Sequence, residues 1–387
     1  MIRTYKYRLY PTNAQAAALT DLLDVGRQFY NYALQYRRER WQESRYSVTY
    51  NQQAAMWREW RNEQPDDNPL RLLNMTAGQQ LLRRLDKAYR EFLGGKRGLP
   101  RFKGKNRFHS LEFRQGDGCK LFTDKSGRTM FYAQNVGDIK VKDHRPLPAG
   151  CTIKHILIKR NLRKWVVCLQ VECTGARVPQ HPLGNPVGID MGLLSLLADS
   201  NGETLDNPRW LRQSLTDMRV AQRKLARRKK GSHRRRKAAY QVARLHEKIA
   251  NQRSDFWHKE TRKLAYTHSL IAIEDLTLGF MTRNGHLALS AHDAALGQFR
   301  QLLAYKAEEA GTQVVAVNPK GTSQVCSGCG WLVAKDLSVR VHRCPNPDCR
   351  LVFDRDINAA RNILQGALEP PGRGGQDLTW PVGASVS

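Results

Sequence analysis

Three short segments limit what this chain can fold into more than any other feature: Gly188-Ile189-Asp190-Met191-Gly192, Ile271-Ala272-Ile273-Glu274-Asp275 and Asp354-Arg355-Asp356-Ile357-Asn358-Ala359-Ala360. Asp190 and Glu274 each end a short apolar run. Asp356 opens a helical pattern whose Ala359, Ala360 and Ile363 can pack down on a sheet. Acids so far apart converge only if a fold gathers them, and the carboxyl ends of strands in an α/β sheet are where sites form. One Asp after an apolar run is ordinarily a turn or cap residue; three acids at matching places in one fold order point to a site. Three carboxylates suit Mg²⁺, which takes hard oxygen ligands and keeps water and phosphate oxygens in its shell. Two such ions would orient a water and stabilise the leaving oxygen of a phosphodiester. The adjacent acids compete for these roles. Asp275 points to the face opposite Glu274 if the strand continues, and Asp354 reads as the helix cap or as a support behind the site.

The pattern around these segments supplies the gathering fold. From residue 187 the expected order is a strand ending at Asp190, a second strand over 194–198 with a turn at Ser200-Asn201-Gly202, and a long basic helical region over 208–266 broken at Gly231-Ser232. A buried strand at 270–273, a helix over 292–310 closed by Gly311, a strand at 314–317, the cysteine cluster and a last helix over 356–368 follow. A meander followed by alternating helices and strands is the RNase H-like order. Upstream, Tyr5, Tyr7 and Leu9 alternate with Lys6 and Arg8 in a strand over 2–10. Thr12 and Gln15 make a capping box for the helix behind Pro11. Further helices are expected near 48–62 and 75–93, a basic break over 94–107, and strands over 108–173 including a hairpin that turns near Asn161. The Pro/Gly-rich stretch Pro179 to Pro186 reads as a domain boundary. At 387 residues the chain has room for two or three domains. The tail from Glu369, rich in Pro and Gly, is expected to be flexible.

Cys326-Ser-Gly-Cys329 and Cys344-Pro-Asn-Pro-Asp-Cys349 are two short-spaced pairs, the pattern of a four-thiolate structural zinc ribbon with no open coordination position. Its work is to pin the loop that delivers Asp356. Arg340, between the pairs, could reach a scissile phosphate or stand as an ordinary solvated arginine. The other four cysteines, Cys119, Cys151, Cys168 and Cys173, are scattered, which fits a reduced intracellular protein better than a disulfide framework.

The balance of 64 Lys+Arg against 35 Asp+Glu, net +29, calls for a polyanionic partner. The basic segments lack the apolar face of an interfacial helix, so nucleic acid is favoured over a membrane surface. No apolar run is long enough to span a bilayer, and the first residues lack a signal-peptide core. Ten cations and no acid fall within 223–237, including Arg227, Arg228, Lys229, Lys230, Arg234, Arg235 and Arg236. Arg101, Lys103 and Lys105 alternate with Phe102 and Phe108. Cations for phosphates with rings for stacking suit single strands or RNA, though the rings equally fit a core.

Taken with Tyr5-Lys6-Tyr7-Arg8-Leu9-Tyr10-Pro11, Leu85-Asp86-Lys87-Ala88-Tyr89, Pro100-Arg101-Phe102-Lys103, Ile273-Glu274-Asp275-Leu276 and Thr322-Ser323-Gln324-Val325-Cys326, the three acidic segments make the whole chain, apart from its tail, resemble the transposon-encoded TnpB (OrfB) family, relatives of the type V CRISPR effectors. The resemblance implies an α+β multidomain protein. An RNase H-like (RuvC) α/β nuclease domain would occupy 181–322 and 352–368, with the zinc ribbon inserted at 323–351. An N-terminal β-barrel (wedge) would take 1–10 and 105–180, with a helical recognition insert at 11–104, and 369–387 would be the flexible tail. It implies an RNA-guided DNA endonuclease with guide RNA and double-stranded target DNA as partners. Asp190, Glu274 and Asp356 would be Mg²⁺ ligands, and a short DNA motif beside the target would be read. Tyr50, Asn51 and Gln79 in the insert are candidates for that reading. No membrane or small-molecule substrate is expected, and the implied setting is a prokaryotic cytoplasm, at the nucleoid. The alternatives are a guide-bound regulator that does not cut, against which the intact acidic segments argue, and a strand-transfer transposase using the same acids.

Overall fold

The computed structural model describes residues 2–65, 67–105, 107–173, 184–336 and 338–369, together with the backbone of 375–377. Part of the Pro179 to Pro186 stretch and most of the tail lie outside the described residues. The chain divides into two compact units, Met1–Gly175 and Ala176–Ser387.

In the first unit β1 (Ile2–Tyr10) is followed by α1 (Asn13–Ser44), α2 (Tyr50–Glu63) and α3 (Met75–Leu93), then β2 (Ser110–Gln115), β3 (Gly118–Thr123), β4 (Thr129–Ala133), β5 (Gly137–Lys142), β6 (Cys151–Asn161) and β7 (Lys164–Cys173). The seven strands close into a barrel in the order β1-β5-β4-β3-β2-β6-β7, with β7 pairing back on β1. The alternation in β1 sends Tyr5, Tyr7 and Leu9 inward, each at most 3% exposed. The helices start where their caps dictate. Thr12 and Gln15 form a reciprocal capping box on α1, Thr49 and Gln52 do so on α2, and Asn74 accepts from the Ala77 N–H at the start of α3.

The expectation of reduced, scattered cysteines is corrected at one place. Cys151 and Cys173 face each other at the open ends of β6 and β7, with Cα atoms 4.2 Å apart, and form a disulfide. They are 22 positions apart in sequence, and only the strand register reveals that they are opposed. Cys119 and Cys168 are free.

The second unit runs β8 (Pro186–Met191), β9 (Ser195–Asp199), β10 (Thr204–Asp206), α4 (Trp210–Ala226), α5 (His233–Thr267), β11 (Leu270–Glu274), α6 (Gly279–Arg283), α7 (Ala288–Ala294), α8 (Leu296–Ala310), β12 (Gln313–Val317), β13 (Val341–Arg343), β14 (Val352–Asp354), α9 (Arg355–Leu368) and β15 (Gly375–Asp377). Its sheet has the order β10-β9-β8-β11-β12-β15. β9 is antiparallel to β8 and β10, while β8, β11 and β12 are mutually parallel. One face carries Val187, Ile189, Ile271 and Ile273 against Trp257, Phe299 and Leu303 of α5 and α8. The other face, with Ala272 and Val317, receives Ile363 of α9.

Two expectations change here. The helix expected over 292–310 is two helices, α7 and α8, because Ala295 between them adopts a left-handed backbone with φ +52°. Part of the tail expected to be flexible adds the short strand β15, antiparallel to Val315–Val317 on the open edge of β12.

Candidate active site

The placement of the acids follows from strand parity. Ile189 and Ile273 are register partners on neighbouring parallel strands, and both face the α5/α8 core. Asp190 and Glu274 come one residue later, so both turn to the opposite face, side by side at the carboxyl ends of β8 and β11. That is the face covered by α9. Contact is close at Gly188, where a Cβ would collide with the Ala360 carbonyl oxygen and stand 2.7 Å from the Leu364 nitrogen. Two residues along β8 from Gly188 is about 6.6 Å. One turn back along α9 from Ala360 is about 6 Å. Asp190 and Asp356 therefore arrive at the same level. Asp354 fixes where the helix begins, its carboxylate accepting the Asp356 N–H at 2.8 Å. Asp354 is thus the helix cap, and Asp356 lies in the first turn. Asp275 is exposed on the far side and pairs with Arg300 at 3.3 Å.

Asp190 feels both of the other carboxylates. Burial pushes the Asp190 carboxyl up to about 8, and the charges of Glu274 and Asp356 push the same way, against the Met191 N–H and the Arg340 guanidinium. Asp190 as a whole residue is half-buried. Burial also raises Glu274, opposed by the Thr322 hydroxyl that donates to it. Arg340 makes an ion pair with Asp356 and keeps 39% of its side chain exposed. The structure thus brings Asp190, Glu274, Asp356 and Arg340 together. Thr322 is the residue that sequence reasoning missed. A threonine ahead of a cysteine knuckle carries no signal by itself, and only the folding of the 318–325 turn over β11 shows its role.

The sulfur atoms of Cys326, Cys329, Cys344 and Cys349 all lie within 4.8 Å of one another. Two of the sulfur pairs are 3.5 and 3.8 Å apart. A tetrahedral ion with bonds of about 2.3 Å spaces its sulfurs by about 3.8 Å, so the cluster fits structural zinc. A hydrogen bond from the Trp331 N–H lowers the Cys329 thiol to about 7, while burial pushes Cys344 up to about 12. That uneven set of protons is what a bound cation displaces. The β13–β14 hairpin completes the ribbon and leads directly into α9.

The basic candidates divide into those the fold uses and those it leaves exposed. Arg227, Arg228, Lys229, Lys230, Arg234 and Arg236 are exposed around the turn between α4 and α5. Arg235 instead donates to the carbonyls of Leu225 and Arg228 at 2.8 and 3.0 Å and closes that turn. In the first unit Arg101 and Lys105 are exposed. Lys103 is half-buried, with its backbone held by Asn31 and its ammonium 5.7 Å from the Tyr30 ring centre. Phe102 is 48% exposed beneath Arg38, whereas Phe108 is core at 5%. Asn51 is exposed and Gln79 half-buried, and the Tyr50 hydroxyl accepts from Arg83 at 3.1 Å. No helix among the described residues is long and apolar enough to cross a membrane.

Three family models match the chain. One described as "Probable transposase" (OrfB_IS605) covers residues 166–285, one described as "Cas12f1-like, TNB domain" covers 297–363, and one described as "Helix-turn-helix domain" covers 1–45. Within 2–45 the structure has β1 and the single 32-residue helix α1. A "Putative RNA-guided DNA endonuclease" of Streptomyces pristinaespiralis is 35% identical over 95% of this chain and 89% of its own length. A "Putative RNA-guided DNA endonuclease InsQ" of Escherichia coli (strain K12) is 28% identical over 94% and 92%. Among solved structures, the protein in a Cas12f1-sgRNA-target DNA complex is similar at a TM-score of 0.63 and 14% identity, over 94% of this chain and 98% of that one. The likeness to the solved structure is one of fold.

Proposed function

We propose what this chain does from the premise that it belongs to the TnpB (OrfB) family: it is an RNA-guided DNA endonuclease that cuts target DNA by metal-dependent phosphodiester hydrolysis. The observation that carries the reading is the gathering of Asp190, Glu274 and Asp356 at one end of the sheet, with Arg340 beside them. The strand order of the second unit supports reading it as RNase H-like (RuvC), with the zinc ribbon as its insertion. The closed barrel of the first unit would then be the wedge, and α1–α3 the recognition insert, where Tyr50, Asn51 and Gln79 stay candidates for reading the adjacent DNA motif. The setting this implies is the DNA of a prokaryotic cytoplasm.

The three acids fit divalent cations by their chemistry. Each is a hard oxygen donor, and their mutual repulsion is relieved by positive charge among them. Two ions among them would clamp the attacking and leaving oxygens of an in-line displacement. Bound Mg²⁺ would supply an activated water and neutralise charge on the scissile phosphate. The chain's own residues do the rest. Asp190, Glu274 and Asp356 hold the site, Thr322 orients Glu274, and Arg340 has donors left for a phosphate oxygen. Sequence recognition comes from guide pairing, which the basic surfaces support by binding the sugar-phosphate backbone.

The test is to purify the chain with its native flanking DNA transcribed, sequence the RNA that co-purifies, and supply Mg²⁺ with duplex DNA matching that RNA. Guided breaks are expected. The absence of any discrete RNA would remove guidance from the reading. Joined donor–target products would replace cleavage with strand transfer, and breaks that persist in Asp190→Ala would leave a binding-only role for this chain.

A second expectation concerns the α4–α5 turn. Changing Arg227, Arg228, Lys229 and Lys230 together to Gln should leave the thermal midpoint unchanged, because all four are exposed. It should weaken nucleic-acid binding and flatten the slope of log K against log salt by roughly 3, at about 0.7–0.9 for each phosphate that is no longer neutralised. Fluorescence anisotropy across a salt series measures it; an unaltered slope would show that the turn touches no phosphates.

A further inference from the structure

Helix α9 carries a polar stripe that the cleavage reading does not use. Arg355, Asn358, Asn362 and Gln365 follow one another at spacings of three and four and share one face. All four donate to a single stretch of chain. Arg355 reaches the Asp336 carbonyl at 2.9 Å and the Ser323 hydroxyl at 3.2 Å. Asn358, fully buried, donates to the Val325 carbonyl at 2.8 Å and accepts the Ser327 N–H at 3.0 Å. Asn362 donates to the carbonyls of Thr322 and Val325, both at 2.7 Å, and Gln365 to that of Ser327 at 3.1 Å.

The stretch held this way runs from Thr322 to Asp336 and contains the zinc-ribbon cysteine Cys326, and Thr322 donates to Glu274. On the other side of the ribbon the Arg340 carbonyl accepts the Arg355 N–H at 2.7 Å, and the Arg340 guanidinium pairs with Asp356. The cysteine cluster is therefore tied to Glu274 through one arm and to Asp356 through the other. The stripe on α9 clamps the first arm against the helix that carries Asp356.

We propose that this stripe couples the two metal sites, with Asn358, Asn362 and Thr322 as positioning residues. Zinc held by the cysteines sets where Glu274 and Asp356 stand, and a divalent cation among the acids slows the loss of zinc. The inference rests on the reading of Asp190, Glu274 and Asp356 as metal ligands and deepens it. Coupling between two binding sites is reciprocal, so it is visible from either end without measuring cleavage.

The experiment uses the full chain loaded with one zinc and Mn²⁺ as the probe. Mn²⁺ binding is followed by the paramagnetic resonance signal of the free ion, and zinc release by a chromogenic chelator. In the unaltered chain, saturating Mn²⁺ should slow zinc release about tenfold. Asn362→Ala and Thr322→Val, each first shown to hold zinc and to melt cooperatively, should weaken Mn²⁺ binding about tenfold and make zinc release indifferent to Mn²⁺. Thr322→Ser, which keeps the hydroxyl, should restore both. Asn358 is left unaltered because its complete burial puts the fold at stake. If the unaltered chain binds Mn²⁺, Asp190→Asn abolishes that binding, and zinc release is the same with and without Mn²⁺, the coupling is wrong and the ligand reading stands. Coupling that survives in both Asn362→Ala and Thr322→Val removes these residues from the role. If the unaltered chain binds no Mn²⁺, the ligand reading fails and takes the coupling with it.

Discussion

Asp190→Asn is expected to stop guided DNA cleavage, by about a thousandfold or more, and to make the metal-free protein more stable. The two effects have one cause. Asp190 sits where burial and two facing carboxylates hold its carboxyl at about 8 instead of 3.8. A folded state that prefers the protonated acid loses stability as pH rises through that interval, because the unfolded chain gives up the proton first. The cost is absent below about pH 4 and complete above about pH 8. Each pKa unit corresponds to about 1.4 kcal/mol, so removing the charge should stabilise the chain by at least that much near neutral pH. This is a rise of at least roughly 3–6 °C in midpoint for a unit of this size. Calorimetric melts in chelator should show the two proteins converging near pH 4 and separating toward pH 8. Mg²⁺ should then raise the midpoint of the unaltered chain and leave that of the variant where it was. A variant that still cuts, or that melts lower than the unaltered chain at pH 8 in chelator, contradicts the account.

The acids were legible because each lies at the boundary of an element whose own periodicity is strong: apolar runs ending at Asp190 and Glu274, and an Ala-rich helix opening at Asp356. The cysteine pairs were legible because zinc spacing is local in sequence. What could not be read is set by partners from elsewhere in the chain. Cys151 and Cys173 become neighbours only through the register of β6 and β7. Thr322 matters because a turn folds over β11, and Asn358 and Asn362 because of the loop laid along them. Ala295 takes a left-handed backbone that its own residue type does not favour, and the helical pattern on both sides hides the break. Within the basic runs, composition cannot separate an arginine that closes a turn, as Arg235 does, from its exposed neighbours Arg234 and Arg236.

Gly188→Ala tests the packing that gathers the acids. The added Cβ would collide with the Ala360 carbonyl oxygen and meet the Leu364 nitrogen at 2.7 Å and the Leu364 Cβ at 2.8 Å. Two of these are helix backbone, so no side-chain rotation relieves the clash and α9 itself must move away from β8. Overpacking of this kind costs about 1–3 kcal/mol. The functional cost should be larger, because Asp356 lies one turn from Ala360 on the same helix and moves with it. A displacement of about 1 Å at a reacting group costs on the order of a hundredfold in rate. Gly297→Ala is the matched control. That glycine lies inside α8, and its Cβ would meet only Leu278 Cδ1 at 3.8 Å, an ordinary separation. Alanine there, in the first turn of the helix, should stabilise it by up to about 0.5 kcal/mol and leave cleavage unchanged. Single-turnover cleavage and thermal melts on both variants should therefore move apart, Gly188→Ala losing rate and midpoint together while Gly297→Ala keeps the one and gains in the other. If Gly188→Ala melts lower but cuts at the full rate, α9 is not what places Asp356. If it cuts slowly with its Mn²⁺ affinity unchanged, the loss lies in the geometry of the scissile phosphate and not in the carboxylate cage.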